Sequence, residues 1–168
     1  GLGNIVGVIT VPDRARGRGR KLTISPVKRT SEQLGLTVLQ PKSLRSLDVH
    51  EDIASLNPDV VVVVGYGLIL PQSILDIPIH GCLNLHPSLL PKYRGASPVV
   101  SAIRNGDSQT GISLMLLDSG MDTGPIIRQE IVETSDTDTA ETLTDTLFAH
   151  GSELLQDALV PWVNGHIS

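Results

Sequence analysis

Five consecutive valines, Val60 to Val64, stand between Pro58-Asp59 and Gly65-Tyr66-Gly67. β-branched side chains are stiff at χ1 and pack well in extended backbone. An apolar run with no polar alternation predicts a strand covered on both faces, as in a parallel sheet. Around it the pattern alternates. NIVGVIT (4–10), LTVLQP (36–41) and GCLNLH (81–86) read as further strands. Between them, 25–35 reads as a helix with Ser25 as N-cap, Pro26 at the first helical position and Gly35 at its end. Residues 47–56 and 97–105 read as two more helices. TGISLMLLD (110–118) and GPIIRQEIVE (124–133) read as strands joined by the turn SGMDTG, an antiparallel pair. Over 139–163, Leu143, Leu147, Leu154, Leu155, Leu159 and Val163 recur at helical spacing. Strands alternating with helices predict an α/β chain with a doubly wound, mostly parallel, Rossmann-like sheet and an antiparallel pair near the C-terminal part. Such sheets place ligand sites at the carboxyl ends of strands. Three loops are predicted to leave such ends: Gly65-Tyr66-Gly67, the loop after His86, and the turn from Asp118 to Gly124.

Length and composition narrow the class. A chain of 168 residues predicts one domain, 1–168. With 40% hydrophobic and 18% charged residues it reads as globular, not disordered. No apolar run approaches the ~20 residues of a membrane helix, and no signal-peptide pattern opens the chain. The single cysteine, Cys82, excludes an internal disulfide framework and fits a reducing compartment. The net charge of −5 argues against a wholly basic, nucleic-acid-binding surface, yet 14–29 carries seven cations and no acid. Arg14, Arg16, Arg18, Arg20 and Lys21 are its densest part. The segment VPDRARGRGRKLTI has no apolar periodicity and is expected to be a mobile loop.

Asn84 and His86 are the candidates for chemistry. Period two puts both on one face of a strand, with Leu83 and Leu85 on the other. A polar pair at the end of an apolar strand needs partners or a ligand. It either makes structural hydrogen bonds under a loop, or offers an amide donor to a developing oxyanion beside an imidazole that titrates near neutrality. Asp122, in DSGMDTG, is either a turn former or a carboxylate facing His86. Asp118 competes for the second role, although its place at a strand end suits a turn. The histidines are scattered, so a zinc site is not expected. No phosphate-binding G-x-x-x-x-G-K-[ST] or G-x-G-x-x-G string follows a strand.

LNLHPSLLPKYRGASPV (83–99) resembles the signature of the formyltetrahydrofolate-dependent formyltransferases. In that family an Asn, a His two residues later and a distal Asp in a D-x-G-x-D-T-G turn form the catalytic set. The matching positions are Asn84, His86 and Asp122. VITVPDRARGRGRKLTISPVK is similar to the basic loop of the branch that formylates methionyl initiator tRNA. LQPKSLR, DVVVVVGYGLILP and GDSQTGISLM match that branch in order and spacing, so the resemblance covers nearly the whole chain. It implies formyl transfer from 10-formyltetrahydrofolate to the amine of methionyl initiator tRNA, with no metal and no membrane, in a monomer. It implies a folate site at Gly65, Tyr66, Gly67, Leu68, Ile69, Leu70, Ser88, Leu89, Leu90, Pro91 and Asp118. It implies tRNA contacts at Arg14, Arg16, Arg18, Arg20 and Lys21. The compartment would be bacterial cytoplasm, or mitochondrial matrix or chloroplast stroma in a eukaryote. The family pattern also has an earlier strand-helix unit and a later β-barrel domain. The chain is therefore expected to be a fragment of the catalytic domain, poorly active and marginally folded alone. Other folate-dependent formyltransferases, a formyltetrahydrofolate hydrolase domain or a non-catalytic RNA-binding fragment are the alternatives. The arginine-rich loop argues against the first two, and the intact Asn-His-Asp set against the third.

Overall fold

The computed structural model describes residues 3–16 and 21–167, with side chains described for all of these except 14–16, 21 and 22. They fall into two compact units that divide between Pro58 and Asp59.

In the first unit, β1 (Val8–Ile9) runs parallel to β4 (Val38–Leu39), with Val8 opposite Val38. Helix α1 (Pro26–Gln33) starts as expected. The Ser25 hydroxyl accepts from the Lys28 amide at 3.1 Å and caps an otherwise orphaned donor. Helix α2 (Leu47–Ser55) buries Ile53. Part of the segment expected as a mobile loop is instead paired backbone, while residues 17–20 of it lie outside the described residues. Strand β2 (Arg14–Arg16) pairs antiparallel with β3 (Lys21–Thr23), Ala15 opposite Leu22. A ladder is made by backbone groups and needs no apolar side chains, so hydrophobic periodicity does not reveal it.

The second unit is built on a four-stranded sheet in the order β5 (Val61–Val64), β6 (Cys82–His86), β7 (Gln109–Leu116), β8 (Ile126–Glu133). β5 and β6 are parallel; β6–β7 and β7–β8 are antiparallel. The α/β class and the antiparallel β7–β8 pair are as the sequence predicts. One expectation fails. Val62 and Val64 are 36% and 49% exposed, so one face of the valine strand is uncovered. β-branched residues specify extended backbone, but not which faces tertiary packing will cover.

Helices α3 (Gln72–Leu75), α4 (Pro98–Arg104) and α5 (Ala140–Val163) complete the unit. Thr139 opens α5 with reciprocal hydrogen bonds to Thr142, a capping box built from two threonines. Leu83 and Leu85 of β6, with Ile112 and Leu114 of β7, pack against Leu154 and Ala158 of α5. Gly151 sits at the crossing, where a Cβ would lie 2.5 Å from Ile112 Cδ1. Its missing side chain lets helix and sheet approach closely. With the leucines of β6 committed to this core, the opposite face is left to Asn84 and His86.

Candidate active site

His86 is 5% exposed at the end of β6. Its Nε2 lies 2.9 Å from the Tyr93 carbonyl. A carbonyl only accepts, so Nε2 carries a proton and donates. Nδ1 is then the nitrogen free for chemistry, and it faces Asp122 Oδ2 at 3.6 Å. That is beyond a strong hydrogen bond, so the two groups face one another without sharing a short contact. Oδ2 of Asp122 is itself held by the Gly95 amide at 2.8 Å.

Asp122 reaches the histidine by an indirect route. Leu116, the last residue of β7, pairs with Leu83, three positions before His86 and so about 10 Å away along the strand. The turn after β7 must fold back over the polar face of β6. Asp118 organises it: its carboxylate accepts from the Gly120 amide at 3.0 Å and from the Thr123 hydroxyl at 2.8 Å. Asp122 adopts a left-handed backbone, φ 51°, which Asp tolerates better than most residues. Gly124 closes the turn where a Cβ would stand 2.0 Å from the Leu116 carbonyl oxygen. The two aspartates therefore divide the roles that the sequence left open between them. Asp118 builds the turn and Asp122 faces the histidine.

Asn84, His86 and Asp122 line one cavity of about 480 Å³, within the usual range for small-molecule sites. Gly65, Tyr66, Gly67, Leu68, Ile69, Leu70 and Asp118 line it as well. Tyr66 supplies an unspent polar atom: its hydroxyl is buried without a hydrogen-bond partner, and burial pushes its pKa upward.

Ser88, Leu89, Leu90 and Pro91 are absent from the cavity wall. Ser88 and Leu90 point into packing instead. The Ser88 hydroxyl donates to the Lys92 carbonyl at 2.6 Å. Ser113 of β7 donates to the Ser88 carbonyl at 2.6 Å and accepts from the Leu90 amide at 3.1 Å. Gln129 of β8 donates to the Leu90 carbonyl at 3.0 Å and to Ser113 Oγ at 2.8 Å. These residues brace the loop that carries Tyr93 and Gly95.

Residues not singled out from the sequence also line the cavity: Ala96 to Val100, Met121, and Thr144 and Phe148 from α5. Gly95 lay within the quoted motif, but its role is a backbone amide, which residue type does not announce. Arg14, Arg16 and Lys21 lie on the hairpin of the first unit, while Arg18 and Arg20 lie outside the described residues. Among the described residues no cluster of three or more His, Cys, Asp or Glu side chains is disposed to hold a metal. No described helix is long and apolar enough to cross a membrane.

The polar Asn-His-Asp set thus lies on the wall of one cavity, at the end of a parallel strand pair. A family model described as Formyl transferase matches residues 1–159, and the chain belongs to that family. More particularly, it is 53% identical over 143 residues to the methionyl-tRNA formyltransferase of Francisella philomiragia, covering 84% of this chain and 46% of that protein. It is 48% identical over 155 residues to the methionyl-tRNA formyltransferase of Alcanivorax borkumensis, covering 92% and 47%. The chain thus spans about half the length of the curated relatives it matches. Among solved structures it resembles a phosphoribosylglycinamide formyltransferase from Bacillus halodurans, with TM-score 0.68, 29% identity, and 83% and 73% of the two chains covered. A sugar N-formyltransferase from a Shewanella species gives TM-score 0.69 at 26% identity, covering 83% and 54%.

Proposed function

We propose that this chain carries the catalytic centre of an enzyme that moves a formyl group from 10-formyltetrahydrofolate to the α-amine of methionyl initiator tRNA. The observation that carries this reading is the convergence of Asn84, His86 and Asp122 on one cavity. The identity to methionyl-tRNA formyltransferases over most of the chain supports the choice of acceptor.

The residues suit each step. The amine nitrogen attacks the formyl carbon, and negative charge develops on the formyl oxygen. The Asn84 amide and Nδ1–H of a protonated His86 donate to it. Each such donor typically lowers a barrier by ~3 kcal/mol in a site that excludes water. Nε2–H is held by the Tyr93 carbonyl, so the ring cannot turn its working nitrogen away. Asp122 balances the imidazolium and can hold a water. Through that water the proton leaving the amine passes to N10 of the folate as the bond from the formyl carbon to N10 breaks.

The donor's ring system is flat, with polar edges and apolar faces. The cavity offers Leu68, Ile69 and Leu70 as apolar surface, the backbone of 65–67, and the unpartnered Tyr66 hydroxyl. The basic hairpin would take the phosphates of the tRNA, a contact independent of base sequence and weakened by salt. An enzyme of this kind works where translation starts with formylmethionine: the cytoplasm of bacteria, like the relatives named above, or a eukaryotic organelle.

The test uses the full-length protein that contains these residues. Supplied with 10-formyltetrahydrofolate, it should formylate methionyl initiator tRNA and release little free formate. His86→Ala should abolish the transfer. Formate release without formylated tRNA would overturn the reading.

A further inference from the structure

The mechanism leaves one question about His86 unanswered: what holds the Tyr93 carbonyl in place? Tyr93 has φ 57°, the left-handed region that a bulky non-glycine residue rarely occupies. Its carbonyl direction toward His86 depends on that conformation, so something must hold it there. The ring is gripped at its far end. The Tyr93 hydroxyl donates to Asp107 Oδ2 at 2.7 Å and accepts from Asn105 Nδ2 at 2.8 Å. Lys92 Nζ lies 2.7 Å from the same Asp107 oxygen and 4.8 Å from the centre of the Tyr93 ring. Asp107 is fixed in turn. Its amide donates to the Ala102 carbonyl at 3.1 Å, and its own carbonyl accepts from the Thr134 hydroxyl. Hydrogen bonds from Lys92 and Tyr93 hold the Asp107 carboxyl below its ordinary range, so it is an anion at neutral pH.

We propose that Asp107 is a positioning residue, which acts through Tyr93 to fix the orientation and tautomer of His86. The chain of contacts is unbroken: Asp107 to the Tyr93 hydroxyl, Tyr93 carbonyl to His86 Nε2, His86 Nδ1 toward Asp122. Asp107 touches neither the cavity nor the reacting atoms. Its effect is to leave Nδ1 as the one ring nitrogen that faces the formyl group. This inference rests on the formyl-transfer reading only for its effect on rate; the tautomer itself is a property of the free protein.

Three variants of the full-length protein separate positioning from mere stability. Tyr93→Phe keeps the ring and removes the hydroxyl. Asp107→Ala removes the acceptor, while Asp107→Asn keeps an acceptor oxygen. The imidazole ¹⁵N signals of His86, assigned by their loss in His86→Gln, should show a single Nε2–H tautomer above neutral pH. Tyr93→Phe and Asp107→Ala should mix the tautomers. They should also lower kcat roughly tenfold to a hundredfold with KM within about twofold, the size expected of a misaimed catalytic group. Asp107→Asn should restore most of both. Unchanged His86 signals in Tyr93→Phe overturn the proposal, whatever the melting temperature does. A rise in KM alone overturns it too. If the unaltered protein does not formylate methionyl-tRNA, the functional reading fails, and the His86 spectrum alone then decides the positioning claim.

Discussion

Ser113 Oγ donates to the Ser88 carbonyl at 2.6 Å while accepting from the Leu90 amide and the Gln129 side chain, so one buried hydroxyl has every bond it can make. Ser113→Ala would strand a buried carbonyl and a buried amide at once. An unsatisfied buried group costs about 1–3 kcal/mol, so the variant, which strands two, should lose about 2–6 kcal/mol. A urea titration should show a lower midpoint with an unchanged slope. Because the same loop carries Tyr93 and Gly95, turnover should fall as well.

Asp122 and Asp118 should respond differently to the same change. Asp122→Asn removes the charge beside His86, and single-turnover formylation should slow by roughly 10²–10⁴. Asp118→Asn keeps an acceptor for Gly120 and Thr123, so the turn should survive with the rate within about tenfold of the parent. Equal losses would mean that the turn's shape, and not the carboxylate at 122, carries the effect.

Cys82 should be chemically silent in the folded protein. Burial, with Asp76 nearby adding to it, pushes its thiol up to about 11. Since the thiolate is the reactive form, iodoacetamide at pH 8 should label the folded protein far more slowly than the urea-unfolded one. The shift also sets a pH dependence. Above the unfolded thiol's value near 9, the unfolded chain holds fewer protons than the folded one, so stability should decline as pH rises from there toward 11. Cys82→Ala should flatten that decline.

Within the basic block, Lys28 should behave unlike its neighbours. Its ammonium is held by Asp13 at 2.7 Å, and Gln40 donates to the other oxygen of that carboxylate at 2.9 Å. Arg16→Ala and Lys21→Ala should each flatten the salt dependence of tRNA binding by about one counterion. Lys28→Ala should leave it unchanged. Filter binding across a salt series distinguishes them.

What could be read in the amino acids follows from what side chains reveal. Period two assigned Leu83 and Leu85 to one face of β6 and Asn84 and His86 to the other, and the packing agrees. Ser25 marked its helix start by cap chemistry alone. Backbone contributions were not visible in this way. The Tyr93 carbonyl, the Gly95 amide and the hairpin ladder carry no residue-type signal. Long-range choices were hidden too. Nothing local tells Asp118 from Asp122, because the difference lies in which of them the turn folds back over β6. Ser88 to Pro91 drew attention through their motif, yet what they do depends on Ser113 and Gln129, both distant in sequence.

The fold-back of the turn after β7 gives the acid and the imidazole separate supports. His86 is mounted on the sheet, whereas Asp122 rides on a turn rooted beside Leu83, about 10 Å away along the strand. The turn is fixed at its root, where the Leu116 amide donates to the Pro125 carbonyl at 2.9 Å, and at its tip, where the Gly95 amide holds Asp122 Oδ2 at 2.8 Å. The gap between acid and imidazole is therefore set by two supports at once, the sheet under His86 and the anchored turn under Asp122.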